Sequence, residues 1–152
     1  MRADLLLLAL VLPLVVAAAL SDLRRLKIPN SYVLVAVVIF LGVAPVLLTL
    51  DDLGARVLGA GIALAIGFVL FGLRLFGGGD VKMMAALMLF VPVGASALFM
   101  QMFSLALLVT AGGMLFVQRA GGHPDWASVQ ARGKMPVGVP MALAVAGLLI
   151  LL

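Results

Sequence analysis

The sequence predicts an all-α membrane protein, a polytopic bundle of about six transmembrane helices with its N-terminus outside. Hydrophobic residues make up 66% of the 152 residues and only 11% are charged, against about 25% in an average soluble domain. The mean hydropathy is +1.35, and apolar runs recur from end to end, as in helical membrane proteins. Because no long polar segment divides these runs, we expect a single transmembrane domain over residues 1–152.

Six apolar segments, separated by charged residues, glycine or proline, predict the spans. They are residues 4–21, 30–50, 54–76, 81–93, 95–118 and 136–152. The first segment resembles a signal peptide. Asp4 and the bases that follow the segment argue against cleavage, so we expect a retained helix. The fourth is shorter than the roughly 20 residues that a crossing needs. Fusion of residues 83–117 into one helix would greatly exceed one crossing, and Pro92 and Gly94 mark a break.

Basic residues concentrate in alternate connections. With the N-terminus outside, eight of the ten bases follow spans one, three and five: Arg24, Arg25, Lys27, Arg74, Lys82, Arg119, Arg132 and Lys134. The positive-inside rule therefore places these connections in the cytoplasm. Bases at the ends of apolar runs also predict contact with the headgroups of membrane lipids. No basic patch interleaved with aromatic residues exists, so nucleic-acid binding is not expected.

The first polar motif follows the first span, where Asp22 is followed by Arg24, Arg25, Pro29 and Asn30. Pro29 ends the helical ladder, and Asn30 or the serine after it can cap the next helix. Taken alone, Asp22 is equally well explained as a counter-ion of the nearby arginines at headgroup level.

The second polar motif is Gly77-Gly78-Gly79-Asp80, with Lys82 two residues later. Glycines allow backbone conformations closed to other residues and a close approach of another chain. We therefore expect them to leave room for an extended substrate strand beside Asp80. A flexible loop that happens to carry an acid would explain the motif equally well in isolation. No Gly-Lys-Ser or Gly-Lys-Thr follows, which excludes a nucleotide-phosphate loop.

Together the two aspartates predict more than either motif does. Asp22 and Asp80 lie at the cytoplasmic ends of their predicted helices, so they share a membrane depth and can meet across a helix interface. Two carboxylates in contact tend to share one proton. One can then act as a base towards water while the other polarises a scissile carbonyl, as in aspartic proteases. Cysteine is absent and His123 is the single histidine, so no metal site is expected.

These motifs resemble those of a known family. Gly77 to Asp80 with Lys82 is similar to the signature of GxGD aspartyl proteases. The segment 22–30 is similar to the first catalytic motif of type IV prepilin peptidases, and the segment 134–140 to the Pro-x-Gly segment that opens that family's last helix. The resemblance covers essentially the whole chain.

The resemblance implies an aspartic endopeptidase of the bacterial inner membrane, which cuts the basic leader from type IV prepilins or pseudopilins at the cytoplasmic face without a cofactor. It implies that Asp22 and Asp80 are catalytic. The residues that shape the loop or bind substrate would be Gly77, Gly79, Lys82, Arg24, Arg25, Pro29 and Asn30. Larger members carry a cysteine-containing, zinc-binding insertion after the first helix, which this chain lacks. The chain thus resembles the compact Flp or Tad-type form, a peptidase without N-methyltransferase activity.

Two alternatives stay open at this point. A transport or scaffold protein would use its intramembrane charges as an ion path or as structural groups, but the spans show no evident inverted repeat. An archaeal preflagellin-type peptidase would fit the same motifs.

Two smaller patterns favour structural roles. Gly59, Ala63 and Gly67 predict close helix packing. The methionines at 83, 84 and 88 suit an adaptable groove, although methionine more often fills a core.

Overall fold

Helices account for nearly all of the chain that the structure, a computed structural model, describes: residues 2–119 and 135–152. The helices are α1 (Arg2–Arg25), α2 (Asn30–Leu47), α3 (Leu50–Gly72), α4 (Gly78–Phe90), α5 (Ser96–Arg119) and α6 (Gly138–Leu151). A 3₁₀ turn, Val93–Ala95, precedes α5. No strand occurs in these two ranges. The prediction of an all-α bundle is confirmed, and each predicted span corresponds to one helix.

Four helices, α1, α2, α3 and α5, are long and apolar enough to cross a membrane, which makes this a multi-pass membrane protein. The other two are shorter, with 13 residues in α4 and 14 in α6. The short fourth span is therefore confirmed. Its separation from the fifth is confirmed too, because Pro92 and the 3₁₀ turn interrupt the chain there. The orientation of the bundle relative to a membrane stays a prediction.

The helices pack as two groups. In one group α3 packs along α4, and in the other α1 and α5 pack along α6. Helix α2 contacts both α1 and α4 and so joins the groups. Between α2 and α4, Phe40 and Phe90 meet edge to face with their ring centroids 5.5 Å apart, a favoured aromatic geometry. Within the described residues, α5 makes no extensive contact with α3 or α4.

The predicted small-residue packing of α3 is confirmed at one position and wrong at another. A Cβ atom at Gly67 would lie 2.4 Å from Cγ1 of Val81, so only glycine permits the observed approach of α3 to α4. At Gly59 a Cβ atom would meet nothing within 4 Å. Gly59 therefore lies beside open space, although α3 still contacts the end of α4 through Arg56 nearby.

A buried ion pair joins three helices at the end of the bundle remote from Asp22 and Asp80. Arg56 of α3 is 4% exposed and pairs with Asp4 of α1 through its Nη2 atom. Its Nη1 atom donates to the carbonyl oxygen of Phe90, the last residue of α4, at 2.8 Å. One guanidinium thus neutralises a carboxylate and satisfies a carbonyl that the end of α4 leaves without a helical partner.

Replacement of Arg56 by alanine is expected to destabilise the bundle by about 1–3 kcal/mol, because it removes the ion pair with Asp4 and leaves the carbonyl oxygen of Phe90 without its side-chain donor. The measurement is the free energy of unfolding in detergent micelles. Arg2→Ala is the control, since Arg2 lies exposed on the same helix as Asp4, and its effect should stay within about 0.5 kcal/mol. Equal effects of the two substitutions would contradict the structural role of Arg56.

Candidate active site

The two aspartates singled out by the sequence line one cavity of about 1000 Å³. Asp22 comes from the last turn of α1 and Asp80 from the first turn of α4. Each helix group therefore contributes one carboxylate. The two motifs therefore meet across a helix interface, as the sequence predicts.

Asp22 is held by the N-terminus of α6. Its side chain is buried, with 3% exposure, and its Oδ2 atom accepts a hydrogen bond of 2.8 Å from the backbone N–H of Gly138. A Cβ atom at Gly138 would lie 3.0 Å from Cα of Ala19, so glycine lets α6 begin this close to α1. The N-terminus of a helix is its positive end, which suits a carboxylate.

The arginines of the first motif do not take part in this arrangement. Arg24 and Arg25 lie exposed in the last turn of α1 and do not line the cavity. Among the described residues, neither forms an ion pair with Asp22. The counter-ion interpretation of Asp22 is therefore wrong, because the backbone of α6 supplies the partner that the arginines were expected to supply.

Asp80 occupies the third position of α4, ahead of the predicted fourth span. Its Oδ2 atom accepts a hydrogen bond of 3.1 Å from the backbone N–H of Gly77, the residue that caps the helix. Burial and the negative charge of Asp22 raise the pKa of Asp80 to about 6, although the Gly77 N–H opposes this shift. Two nearby carboxylates cannot both ionise without cost, so the pair favours a shared proton.

The two motifs contact each other directly. A Cβ atom at Gly79 would lie 2.6 Å from the backbone oxygen of Ile28, so the missing side chain admits the chain's own α1–α2 turn. Nearby, Nζ of Lys82 donates to Oδ1 of Asn30 across 3.4 Å. The sequence suggested that the glycines leave room for a substrate strand. At Gly79 this is wrong, because the backbone of Ile28 fills the space.

Asn30 also differs from its predicted role. Helix α2 begins at Asn30 with Pro29 as its cap residue, and no side chain forms a capping hydrogen bond. Pro29 directs the chain into α2 through its restricted φ angle, which is −61°. The Asn30 amide is then free to reach Lys82 on α4, which is a tertiary contact that local capping preferences do not reveal.

Two residues with left-handed backbone, Leu26 and Arg74, line the cavity. Their φ angles are 51° and 60°, and no other non-glycine residue in the described ranges has a positive φ. Leu26 follows the last residue of α1, and its N–H donates to the backbone carbonyl of Asp22 at 2.8 Å. Side chains other than glycine rarely adopt this conformation, and such strain concentrates at functional sites.

Sequence reasoning missed several residues of the site, among them Gly138, Leu26, Arg74 and Phe76. Of these four, Gly138 alone had a signal, since it belongs to the Pro-x-Gly segment noted above, although no role was derived for it. The others line the cavity through backbone turns that the sequence pattern does not indicate. His123, noted above as the single histidine, lies outside the described residues.

Comparison with protein families decides the class of the protein. The model of the type IV leader peptidase family matches residues 9–117, a range that contains both aspartate motifs and most of α1 to α5. The chain belongs to this family. No curated protein and no solved structure matches it. A leader peptidase is a protease, and this family is of the aspartic type, so the resemblance stated from the sequence is confirmed at the level of the family.

Gly79→Ala is expected to lower kcat/KM for a leader-bearing substrate about 100-fold, the loss that a displacement of about 1 Å at a catalytic group causes. Its methyl group cannot fit against the Ile28 oxygen, so α4 and Asp80 must shift. Gly78→Ala is the matched control, because a Cβ atom there would lie 3.5 Å from the ring of Phe71, an ordinary contact. Equal activities of the two alanine variants would contradict this reason for glycine.

Asp80→Asn is expected to raise the unfolding temperature in detergent at any pH well above 6. The pKa of folded Asp80, about 6, exceeds its ordinary value of 3.8, so folding favours the protonated acid. The wild-type protein has this stability in full below pH 3.8 and loses it as the pH rises through about 6. Asparagine cannot ionise, so the difference between the two proteins should vanish below pH 3.8. A difference that does not change with pH would contradict the assignment.

Proposed function

We propose that the protein removes the basic leader peptide from type IV, Flp-like prepilins or pseudopilins, with Asp22 and Asp80 as the catalytic pair. One observation carries this proposal: the two aspartates, which lie 58 positions apart in the chain, line a single cavity. Membership of a leader peptidase family supplies the reaction class. The two aspartates were the reason to consider a transport or scaffold protein, and an aspartic protease accounts for them without an ion path.

The mechanism follows from one proton shared by two carboxylates. The ionised member of the pair takes a proton from a water molecule, whose oxygen then forms a bond to the carbonyl carbon of the scissile peptide. The protonated member donates its proton to the carbonyl oxygen, which gives a neutral tetrahedral diol. Collapse of the diol breaks the C–N bond, and the leaving amine takes up a proton. The mature protein then has a new N-terminus and the leader a new carboxyl group.

The hydrogen bonds around the pair support this chemistry. Gly138 holds Asp22 from the α6 side, and Gly77 holds Asp80 within its own helix. Backbone N–H groups thus anchor both carboxylates, with Val137 as a further donor to Asp22, while both aspartates line the cavity in which a water and a carbonyl can bind. Fixed donors of this kind keep both groups in position before the substrate arrives.

Asp22→Asn and Asp80→Asn are each expected to lower the rate of leader removal at least about 100-fold, since either change removes a proton-transfer group. The assay incubates the purified enzyme with a prepilin and follows the leader and the mature product by mass spectrometry. Asp51→Asn is the control, because Asp51 lies exposed in the first turn of α3, at the other end of the bundle. Full activity in a folded asparagine variant would remove that aspartate from the mechanism.

The absence of methyltransferase activity is part of the proposal. Only residues 26–29 separate α1 from α2, so the chain has no insertion there, and it contains no cysteine. These features support a peptidase of the compact Flp or Tad type. The same mass spectra test the point: an unmethylated mature product formed in the presence of S-adenosylmethionine supports it, and a methylated product contradicts it.

We further propose that the protein lies in the bacterial inner membrane and that its cavity opens on the cytoplasmic side. Five bases lie on the segments that carry or adjoin the aspartates: Arg24, Arg25, Lys27, Arg74 and Lys82. The opposite end carries the two acids of the first turn of α3 and the paired Arg56. The positive-inside rule assigns the base-rich end to the cytoplasm.

Because the chain has no cysteine, single cysteines can test this orientation directly. Lys27→Cys and Asp51→Cys replace exposed residues at opposite ends of the bundle. A membrane-impermeant maleimide added to intact spheroplasts should label the cysteine at position 51 at once, and the cysteine at position 27 only after permeabilisation. The reverse pattern would invert the proposed topology.

A further inference from the structure

A second cavity, of about 360 Å³, runs from Asp80 between the two helix groups. We refer to it as the lateral groove, and its walls include Gly59, Ile62 and Ile66 of α3, Met84 and Met88 of α4, and Met100 of α5. Except at Asp80 and Ser96, its lining consists of apolar residues and glycine. It shares Phe76 and Asp80 with the cavity that contains Asp22. The lateral groove therefore adjoins the candidate active site at Asp80.

The lateral groove opens to the side of the bundle. Ile62 is 53% exposed and Ile66 is 56% exposed on one wall, and Met100 is 36% exposed on the other. These walls belong to α3 and α5, which are both long and apolar enough to cross a membrane. The opening exists because α5 packs on α6 and makes no extensive contact with α3 or α4 within the described residues. In a membrane this side of the bundle faces lipid, so an occupant can enter from the bilayer.

We propose that the lateral groove binds one face of an apolar helix of the substrate, the segment that continues from the scissile bond into the membrane. This inference rests on the proposed function, because it assumes that a peptide bond is cut at Asp80. The apolar lining excludes a charged leader. The groove's volume is too small for a whole helix, which is about 10 Å across, but it accommodates the side chains of one helix face.

The methionines of the groove suit this occupant. Met84, Met88 and Met100 line it, and their unbranched side chains adapt to apolar partners of different shape. The expectation that methionines after the glycine motif form a groove thus agrees with the positions of Met84 and Met88. Met83 differs, because it is fully buried and fills the core. An enzyme with such a lining can accept apolar segments that share little sequence.

Two glycines of α3 provide a matched pair for the test. A Cβ atom at Gly59 or at Gly61 would meet nothing within 4 Å, so a larger residue fits at either position. Gly59 lines the lateral groove, whereas Gly61 is exposed on another face of the helix. Leucine at 59 fills the groove, leucine at 61 faces lipid, and both changes remove a helix-interior glycine.

The experiment measures cleavage of a full-length, membrane-inserted precursor by wild type, Gly59→Leu and Gly61→Leu. Gly59→Leu is expected to raise KM about tenfold with little change in kcat, as when a binding contact away from the chemistry is lost. Gly61→Leu should match the wild type. Equal KM values for the two variants would overturn the groove proposal and leave the proposed function intact. Failure of the wild type to cleave would instead count against the proposed function.

Photo-crosslinking identifies the occupant. In the Asp80→Asn enzyme, a benzoylphenylalanine replaces either Met100, which lines the groove, or Leu108, which lies on the same helix at 71% exposure outside it. Adducts with the precursor's apolar segment are expected from position 100 and not from position 108. Adducts only with lipid at both positions, or equal adducts with the precursor, would overturn the assignment of the occupant.

Discussion

The contact between the α4 backbone at Gly79 and the backbone oxygen of Ile28 determines where Asp80 lies. No side chain fits between these two segments, so the first turn of α4 rests directly on the connection between α1 and α2. That connection begins four residues after Asp22. A main-chain contact therefore brings the two helix ends that carry the carboxylates to one cavity. The relative position of these helix ends does not depend on flexible side chains. Lys82 and Asn30 reinforce the same junction from the rim.

The rest of the bundle divides the two aspartates of the proposed catalytic pair between its two helix groups. Asp22 belongs to α1, and the first N–H of α6 holds it. Asp80 belongs to α4, which packs on α3 through Gly67 and Val81. Helix α2, together with the Phe40–Phe90 contact, joins the groups away from the site. A split of this kind leaves space between the groups beside the aspartates, and the cavity and the lateral groove occupy that space.

The sequence predicted those features that depend on local pattern. Hydrophobic runs indicated six helices, Pro92 marked the break after α4, and the two aspartates stood out because acids are rare in so apolar a chain. Features that depend on the approach of distant segments were missed. Gly138 and Asp22 are 116 positions apart, and no local rule relates them. Gly59 and Gly67 look alike in sequence, but only a Cβ atom at Gly67 would meet a neighbouring helix, whereas one at Gly59 would enter open space.

The shortness of α4 has a consequence for the bilayer around the protein. At about 1.5 Å per residue, its 13 residues span roughly 20 Å, whereas the hydrocarbon layer is about 30 Å thick. Asp80 lies in the first turn of α4 and Arg56 holds its last residue, so a bilayer of this thickness extends beyond the ends of the helix. This hydrophobic mismatch favours local thinning of the bilayer, and the access of water to Asp80 is then expected to depend on membrane thickness.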